Sequence, residues 1–238
     1  MSTGVVIPCY NEGHRLDESE VRMLVEANVD VYLVDDGSTD DTLNLLHELK
    51  ESFSDKVSVI SFVENLGKGE AVRHGLIRAI ESGSSPVGYL DADFATSADE
   101  IIRLIRRFSE QDVNVLLGSR WLHLGAEIKR NVVRHYLGRV FATFASMILR
   151  MPLYDTQCGA KVFATSEVLS HSLIVPFISR WAFDVELLGR LKKYGYGNDD
   201  FYEEPLHRWI DVGGSKLKLS DTVMIVVDLL RLWRMQRH

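Results

Sequence analysis

Five short apolar runs, at 5–7, 31–34, 57–62, 87–90 and 113–117, punctuate the first half of the chain. None is long enough for a helix, and none alternates as a half-exposed strand does, so they are predicted to be strands buried in a parallel sheet. Amphipathic segments near 18–27, 41–50, 69–80 and 98–108 separate them, each long enough for a crossover helix. The pattern is that of an α/β fold: a Rossmann-like βαβαβ sheet with short connections. After Arg120 the alternation breaks. A long helical pattern at 130–150 follows, with Val133, Leu137, Val140, Phe144 and Ile148 at helical spacing on one face, and the second half is expected to decorate the sheet with α+β structure. Without a repeat, low-complexity tract or linker, residues 1–238 are expected to form a single domain whose halves are 1–120 and 121–238.

Ligands of open parallel sheets bind beyond the carboxyl ends of the strands. The residues there are polar: Cys9-Tyr10-Asn11-Glu12, Asp35-Asp36-Gly37-Ser38, Asn65-Leu66-Gly67-Lys68-Gly69, Asp91-Ala92-Asp93 and Gly118-Ser119-Arg120. Asp91 and Asp93 are oxygen donors of the kind Mg²⁺ or Mn²⁺ takes together with phosphate oxygens, although an isolated Asp-x-Asp serves equally well as a turn leading into the helix after Ser97. The run from Asp35 offers carboxylates to a ribose or base edge, and Ser38, Asp40 or Asp41 as a helix N-cap; both roles can hold at once. Lys68, in a glycine-flanked loop ahead of a helix, is either a phosphate contact or a solvated loop lysine.

Composition narrows the classes. With 46% hydrophobic residues, 26% charged and 5 Pro, the chain reads as ordered and globular. A formal charge of −7 argues against a nucleic-acid partner, which demands a basic face. Cys9 and Cys158 stand in no metal-ligand spacing and form no disulfide framework, as in a reducing compartment. Met1 leads almost directly into a polar, Pro-containing motif, so no signal peptide is expected. The longest uncharged apolar stretch, 140–149, is about half the roughly 20 residues that cross a bilayer. No G-x-G-x-x-G follows the first strand, which disfavours a dinucleotide-dependent dehydrogenase.

Taken in order, Pro8-Cys9-Tyr10-Asn11-Glu12, Asp35-Asp36-Gly37-Ser38, Asn65-Leu66-Gly67-Lys68-Gly69 and Asp91-Ala92-Asp93 resemble the family-2 glycosyltransferases. In the second half, Asp155-Thr156-Gln157-Cys158-Gly159, the run from Arg180 to Leu188 and Gly214-Ser215-Lys216-Leu217 resemble the dolichyl-phosphate β-glucosyltransferases, relatives of the dolichyl-phosphate mannose synthases. The resemblance implies a GT-A fold, a nucleoside-diphosphate sugar held in the first half, a divalent cation (Mg²⁺ or Mn²⁺) on Asp91 and Asp93, and an acceptor- and membrane-facing second half. Asp93-Phe94-Ala95-Thr96 is similar to the glucosyltransferase branch, since mannose synthases tend to carry Gln in place of Ala95; UDP-glucose is favoured over GDP-mannose. Pro8, Tyr10, Glu12, Asp35, Asp36, Lys68, Asp91, Arg208 and Lys216 are then expected on the donor, Arg120, Arg134 and Gln157 on the acceptor, and Asp93, Arg120 and Asp184 at the chemistry.

The eukaryotic relatives carry an N-terminal membrane anchor, and here lipid contact is expected to come from elsewhere. Between Arg120 and Arg150 six basic residues (Arg120, Lys129, Arg130, Arg134, Arg139, Arg150) face one acid, Glu127. A helix carrying them beside Phe141, Phe144, Met147 and Ile148 suits an anionic headgroup region, and equally an ordinary core-packed helix with a basic face. Residues 221–238 repeat the theme and are expected to dock on lipid or on a second subunit, whether another copy or a membrane protein. The expected location is cytoplasmic and peripheral to the membrane.

A phosphate monoester acceptor is anionic and nucleophilic at neutral pH, so inverting transfer to it needs alignment and leaving-group stabilisation rather than a base. A hydroxyl acceptor would need one, and Asp184 is the nominee. The competing expectations are a GDP-mannose donor, a saccharide or glycerol-type hydroxyl acceptor, and a catalytically silent nucleotide-sugar-binding module.

Overall fold

The computed structural model describes residues 2–129, 132–180 and 182–212, with the side chains of 132–137 outside the description. The predicted alternation is present: β1 (Thr3–Cys9), α1 (Glu18–Glu26), β2 (Val29–Asp35), α2 (Thr42–Ser52), β3 (Val57–Ser61), α3 (Lys68–Glu81), β4 (Val87–Leu90), α4 (Ala98–Glu110) and β5 (Val115–Ser119). There follow β6 (Glu127–Lys129), α5 (Val132–Leu149), β7 (Ala160–Phe163), α6 (Glu167–Ser172), α7 (Phe183–Lys193), β8 (Phe201–Pro205) and β9 (Arg208–Ile210).

Seven strands form one sheet in the order β3-β2-β1-β4-β7-β5-β8, and β6 pairs with β9 in a separate ribbon. All neighbours in the large sheet are parallel except β7, which runs antiparallel between β4 and β5. The second half therefore does more than decorate the sheet: β7 fills its interior and β8 extends its edge. Ala160-Lys161-Val162-Phe163 escaped the sequence reading because a four-residue run interrupted by a lysine gives no periodic signal.

Alternation across the pleat sorts the core into two layers. Val5, Ile7, Val31 and Leu33 pack on one face with Val21 and Leu24 of α1, Leu46 and Leu49 of α2, and Ile101 and Leu104 of α4. Val6, Tyr32 and Val34 meet α3, α6 and α7 on the other, through Val72, Leu76, Leu169, Leu187 and Leu191. Each fully buried aliphatic side chain contributes roughly 1.5–3 kcal/mol. Helix α3 lies close against the sheet because Gly75 faces it: a Cβ there would collide with the side chains of Val6 and Val34.

Helix α5 corrects one expectation. Val140, Phe144 and Ile148 do not share an environment: Val140, Phe144 and Met147 point outward, whereas Phe141, Ala145, Ile148 and Leu149 pack inward. A helix apolar on most of its circumference does not reveal from periodicity which stripe is buried. No helix among the described residues is long and apolar enough to cross a membrane. Residues 221–238 lie outside the described residues.

Candidate active site

The loops after β1, β2 and β3 are knitted together. Asn11, at φ 52°, accepts from Thr39 N through Oδ1 (2.8 Å), and its own N–H donates to Ser38 Oγ (3.0 Å). Glu12 N donates to Thr42 Oγ1 (2.8 Å), and the Glu12 carboxylate receives Arg15 through two bonds of 2.7 Å. The α2 cap expected of this run belongs to Asp40, whose Oδ1 accepts from Thr42 N (3.0 Å); Asp41 holds the N-cap position without a capping bond. Tyr10 is half-buried just past β1, but Pro8 lies inside β1, buried and opposite Val34, rather than in the loop.

Asp35 ends β2, buried, and accepts from Ser38 N (3.2 Å). Asp36 turns toward the third loop, where Oδ1 takes Leu66 N (2.8 Å) and both oxygens take Gly67 N (3.1 and 3.0 Å). Burial raises the Asp36 carboxyl, against the pull of those two amides. Its carboxylate thereby braces the glycine loop. Gly67, at φ +99°, lets that loop turn into α3, and the Arg180 side chain packs where a Cβ would stand.

Lys68 is no solvated loop lysine. Its Nζ lies 2.5 Å from Asp91 Oδ1 and 5.8 Å from the Phe183 ring centre. Burial works to lower its pKa, but the charges of Asp91, Asp184 and Asp93 outweigh it and leave the ammonium above its ordinary value. Asp91 closes the end of β4, its N–H on Gly159 O (3.0 Å) and its carboxylate seated against Gly159, where any Cβ would overlap it. Asp93 accepts from Ala95 N (3.1 Å) in a turn that places Phe94 at φ 48°. This turn does not cap α4; that task falls to Glu20 of α1, which accepts from Ala98 N (2.5 Å).

Burial, and then the neighbouring Asp91, raise the Asp93 carboxyl. Two like charges on one half-buried turn call for a cation, and their hard oxygens fit Mg²⁺ or Mn²⁺. Among the described residues no three His, Cys, Asp or Glu gather to hold a metal unaided, so the remaining ligands would be diphosphate oxygens and water.

The other flank is a fork. Arg120 donates through Nε and Nη2 to Asp155 (2.6 and 2.8 Å), its backbone N–H reaches the same carboxylate (3.1 Å), and its guanidinium lies 5.3 Å from the Trp209 ring centre. Burial opposes both charges. The pairing wins, holding the Asp155 carboxyl well below the usual carboxylate range and Arg120 above its ordinary value, with Asp91 among the charges Arg120 feels. Glu203 of β8 accepts from Tyr154 N and Asp155 N (2.8 and 2.6 Å), fixing the fork to the sheet. Ser119 Oγ, Thr156 Oγ1 and Gln157 Nε2 are buried beside it without a hydrogen-bond partner among the described residues. Burial pushes the Cys158 thiol up to about 11, so it is neutral at pH 7; neither cysteine forms a disulfide.

Other expected residues lie on the small ribbon, beneath the site or outside the described residues. Arg208 sits exposed on the small ribbon, its Nε 3.6 Å from Glu127. Lys216 lies outside the described residues, as does the side chain of Arg134. Asp184 is buried under the Lys68–Asp91 pair, its Oδ1 held by the Tyr89 hydroxyl and by Lys161 Nζ (2.6 Å). Reading by motif missed Lys161, Glu203 and the brace role of Arg180, whose Nη2 donates to Asn65 O and Oδ1 (both 2.7 Å). The available signal for Lys161 was a charge inside an apolar run.

A groove of about 330 Å³, lined by Arg139, Thr143, Ser146, Met147, Pro152, Leu153 and Tyr154, opens between α5 and the segment leading to Asp155. Arg139 donates to Tyr154 O (2.7 Å) and stacks on the Tyr154 ring at 3.8 Å.

Known proteins resemble the chain in sequence and in fold. The dolichyl-phosphate beta-glucosyltransferase of Homo sapiens is 33% identical, over 90% of this chain and 68% of its own length. Its counterpart in Drosophila melanogaster is 32% identical, over 98% and 74%, and that of Saccharomyces cerevisiae 31%, over 95% and 72%. Among solved structures, Staphylococcus aureus TarS 1–349 in complex with UDP-GlcNAc superposes with a TM-score of 0.63 at 16% identity, over 99% of this chain and 66% of that one. The mannosyltransferase PcManGT from Pyrobaculum calidifontis, in complex with GDP-Man and Mn²⁺, gives 0.51 at 19% identity, over 85% and 56%. These likenesses identify the sheet and its helices as a GT-A fold. The family profile described as Glycosyl transferase family 2 matches residues 4–168, and the chain belongs to that family.

Proposed function

We propose that the chain transfers glucose from UDP-glucose to dolichyl or another polyprenyl phosphate, with inversion, at the cytoplasmic face of a membrane. The observation that carries this reading is the meeting of two charged groups beyond the carboxyl ends of β4 and β5: Lys68 with Asp91 and Asp93 on one side, and the Arg120–Asp155 fork on the other, each within electrostatic reach of Asp91. One set suits a departing diphosphate and the other an incoming phosphate. The names of the relatives supply the sugar and the lipid.

In this reading Tyr10 and Asp35 hold the nucleoside, while Asp36 and Arg180 keep the glycine loop in place. Asp91 and Asp93 would hold a divalent cation on the diphosphate, which supplies Lewis acidity to the leaving group. Lys68 turns from Asp91 toward phosphate oxygens as negative charge develops there. Arg120, held in one plane by Asp155, presents its guanidinium to the acceptor phosphate with little entropy left to lose. Gln157, two residues on from Asp155, is a further acceptor-side residue. The outward stripe of α5 and the groove beside it receive the lipid.

Incubation with Mg²⁺ or Mn²⁺, a polyprenyl phosphate and labelled UDP-glucose or GDP-mannose in parallel tests the proposal. Label in the organic phase from UDP-glucose alone is expected. Label from GDP-mannose would keep the mechanism and overturn the donor; no lipid-soluble label from either would overturn the acceptor. Asp93→Ala is expected to abolish turnover and cation-dependent donor binding, and unchanged rates would sink the metal assignment.

A further inference from the structure

Lys161 is buried completely, a rare state for a lysine. It stands in β7, in the middle of the sheet, and its ammonium donates to Cys158 O (2.6 Å) and Asp184 Oδ1 (2.6 Å). The Tyr89 hydroxyl of β4 donates to that same Oδ1, and Lys161 Nζ lies 5.2 Å from the Tyr89 ring centre. Asp184, in the first turn of α7, is 5% exposed and near enough to the donor-side cluster for Lys68 to feel its charge. A carboxylate thus stands within electrostatic reach of the donor-side cluster, with one oxygen already held by two donors.

We propose that Lys161 is a positioning residue that withholds Asp184 from base chemistry and so confines the enzyme to acceptors that arrive already ionised. The inference rests on the phosphate-acceptor reading above and names the residue that enforces it. With water or an alcohol as acceptor, its oxygen bonds to the anomeric carbon while the bond from that carbon to the diphosphate oxygen breaks. The bonding pair leaves with the nucleoside diphosphate, and the acceptor's proton has to pass to a carboxylate. The lysine and the tyrosine already occupy Oδ1 of Asp184, the oxygen that would otherwise take it. A phosphate monoester releases no such proton, so transfer to it proceeds without Asp184. The same lock limits wasteful hydrolysis of the donor.

The experiment compares wild type, Lys161→Met, Lys161→Arg and Lys161→Met/Asp184→Asn for two rates: hydrolysis of labelled UDP-glucose without acceptor, and transfer to polyprenyl phosphate. Lys161→Met is expected to raise the hydrolysis-to-transfer ratio at least about tenfold. The double variant is expected to return it toward the wild-type value, and Lys161→Arg to retain that value. A folded Lys161→Met with an unchanged ratio overturns the inference, as does a raised ratio that survives Asp184→Asn. Where Lys161→Met does not fold, Tyr89→Phe removes the other donor and is expected to raise the ratio about threefold; no rise overturns the inference. If wild type moves no sugar to a lipid phosphate, the functional reading fails. The inference is then judged on hydrolysis alone, which must still rise in Lys161→Met and fall again with Asp184→Asn.

Discussion

At the scale of single residues, two ion pairs of the site, Lys68–Asp91 and Arg120–Asp155, are formed before any substrate arrives. Removing one member of a buried pair leaves the other uncompensated, so Asp155→Asn is expected to cost about 3–5 kcal/mol in urea unfolding. The Asp155 carboxyl is depressed in the fold, so its contribution is fully present above the ordinary carboxylate pKa of about 4 and drains away as pH falls from there toward the folded value. The acid limb of a stability–pH curve should therefore flatten in Asp155→Asn. Gly159→Ala tests geometry rather than charge. Its methyl would displace the Asp91 carboxylate, and transfer is expected to fall about 100-fold while the fold persists, as measured by kcat alongside thermal unfolding. The motifs marked Asp91, Asp93, Lys68 and Arg120 from the sequence, because their residue types and strand-end positions are local facts. Lys161 and Glu203 stayed hidden, because a charge inside a strand acquires meaning only from a partner distant in sequence.

At the scale of elements, the helices of the first half were legible and α5 was legible only in extent. Helix α4 owes its start to a neighbour, and loss of the bond from Ala98 N in Glu20→Ala is expected to cost about 1 kcal/mol in denaturant midpoint. No sequence pattern signals a cap delivered by another helix. The outward stripe of α5 invites a different test. Val140→Ser/Phe144→Ser/Met147→Ser is expected to leave stability within about 0.5 kcal/mol per site and to abolish co-sedimentation with anionic vesicles. Unchanged vesicle binding would remove α5 from the membrane contact. Periodicity grouped Phe144 with Ile148 on one face, and packing against the core separated them.

At the scale of the whole molecule, the sequence foretold the parallel sheet and its ligand edge but not the place of β7. Strand order is a non-local property, and the pattern before Arg120 reads the same whether β5 adjoins β4 or is held apart from it. The interposed β7 has a consequence for how the protein is made. A ribosome delivers β1 to β5 first, yet β4 and β5 bond to each other only through residues 160–163. Until that segment emerges, two strands keep unpaired edges of the kind that recruit foreign strands. The nascent chain thus passes through a window, between about residues 119 and 163, in which the donor half is synthesised but cannot close, and in which a chaperone has the most to shield.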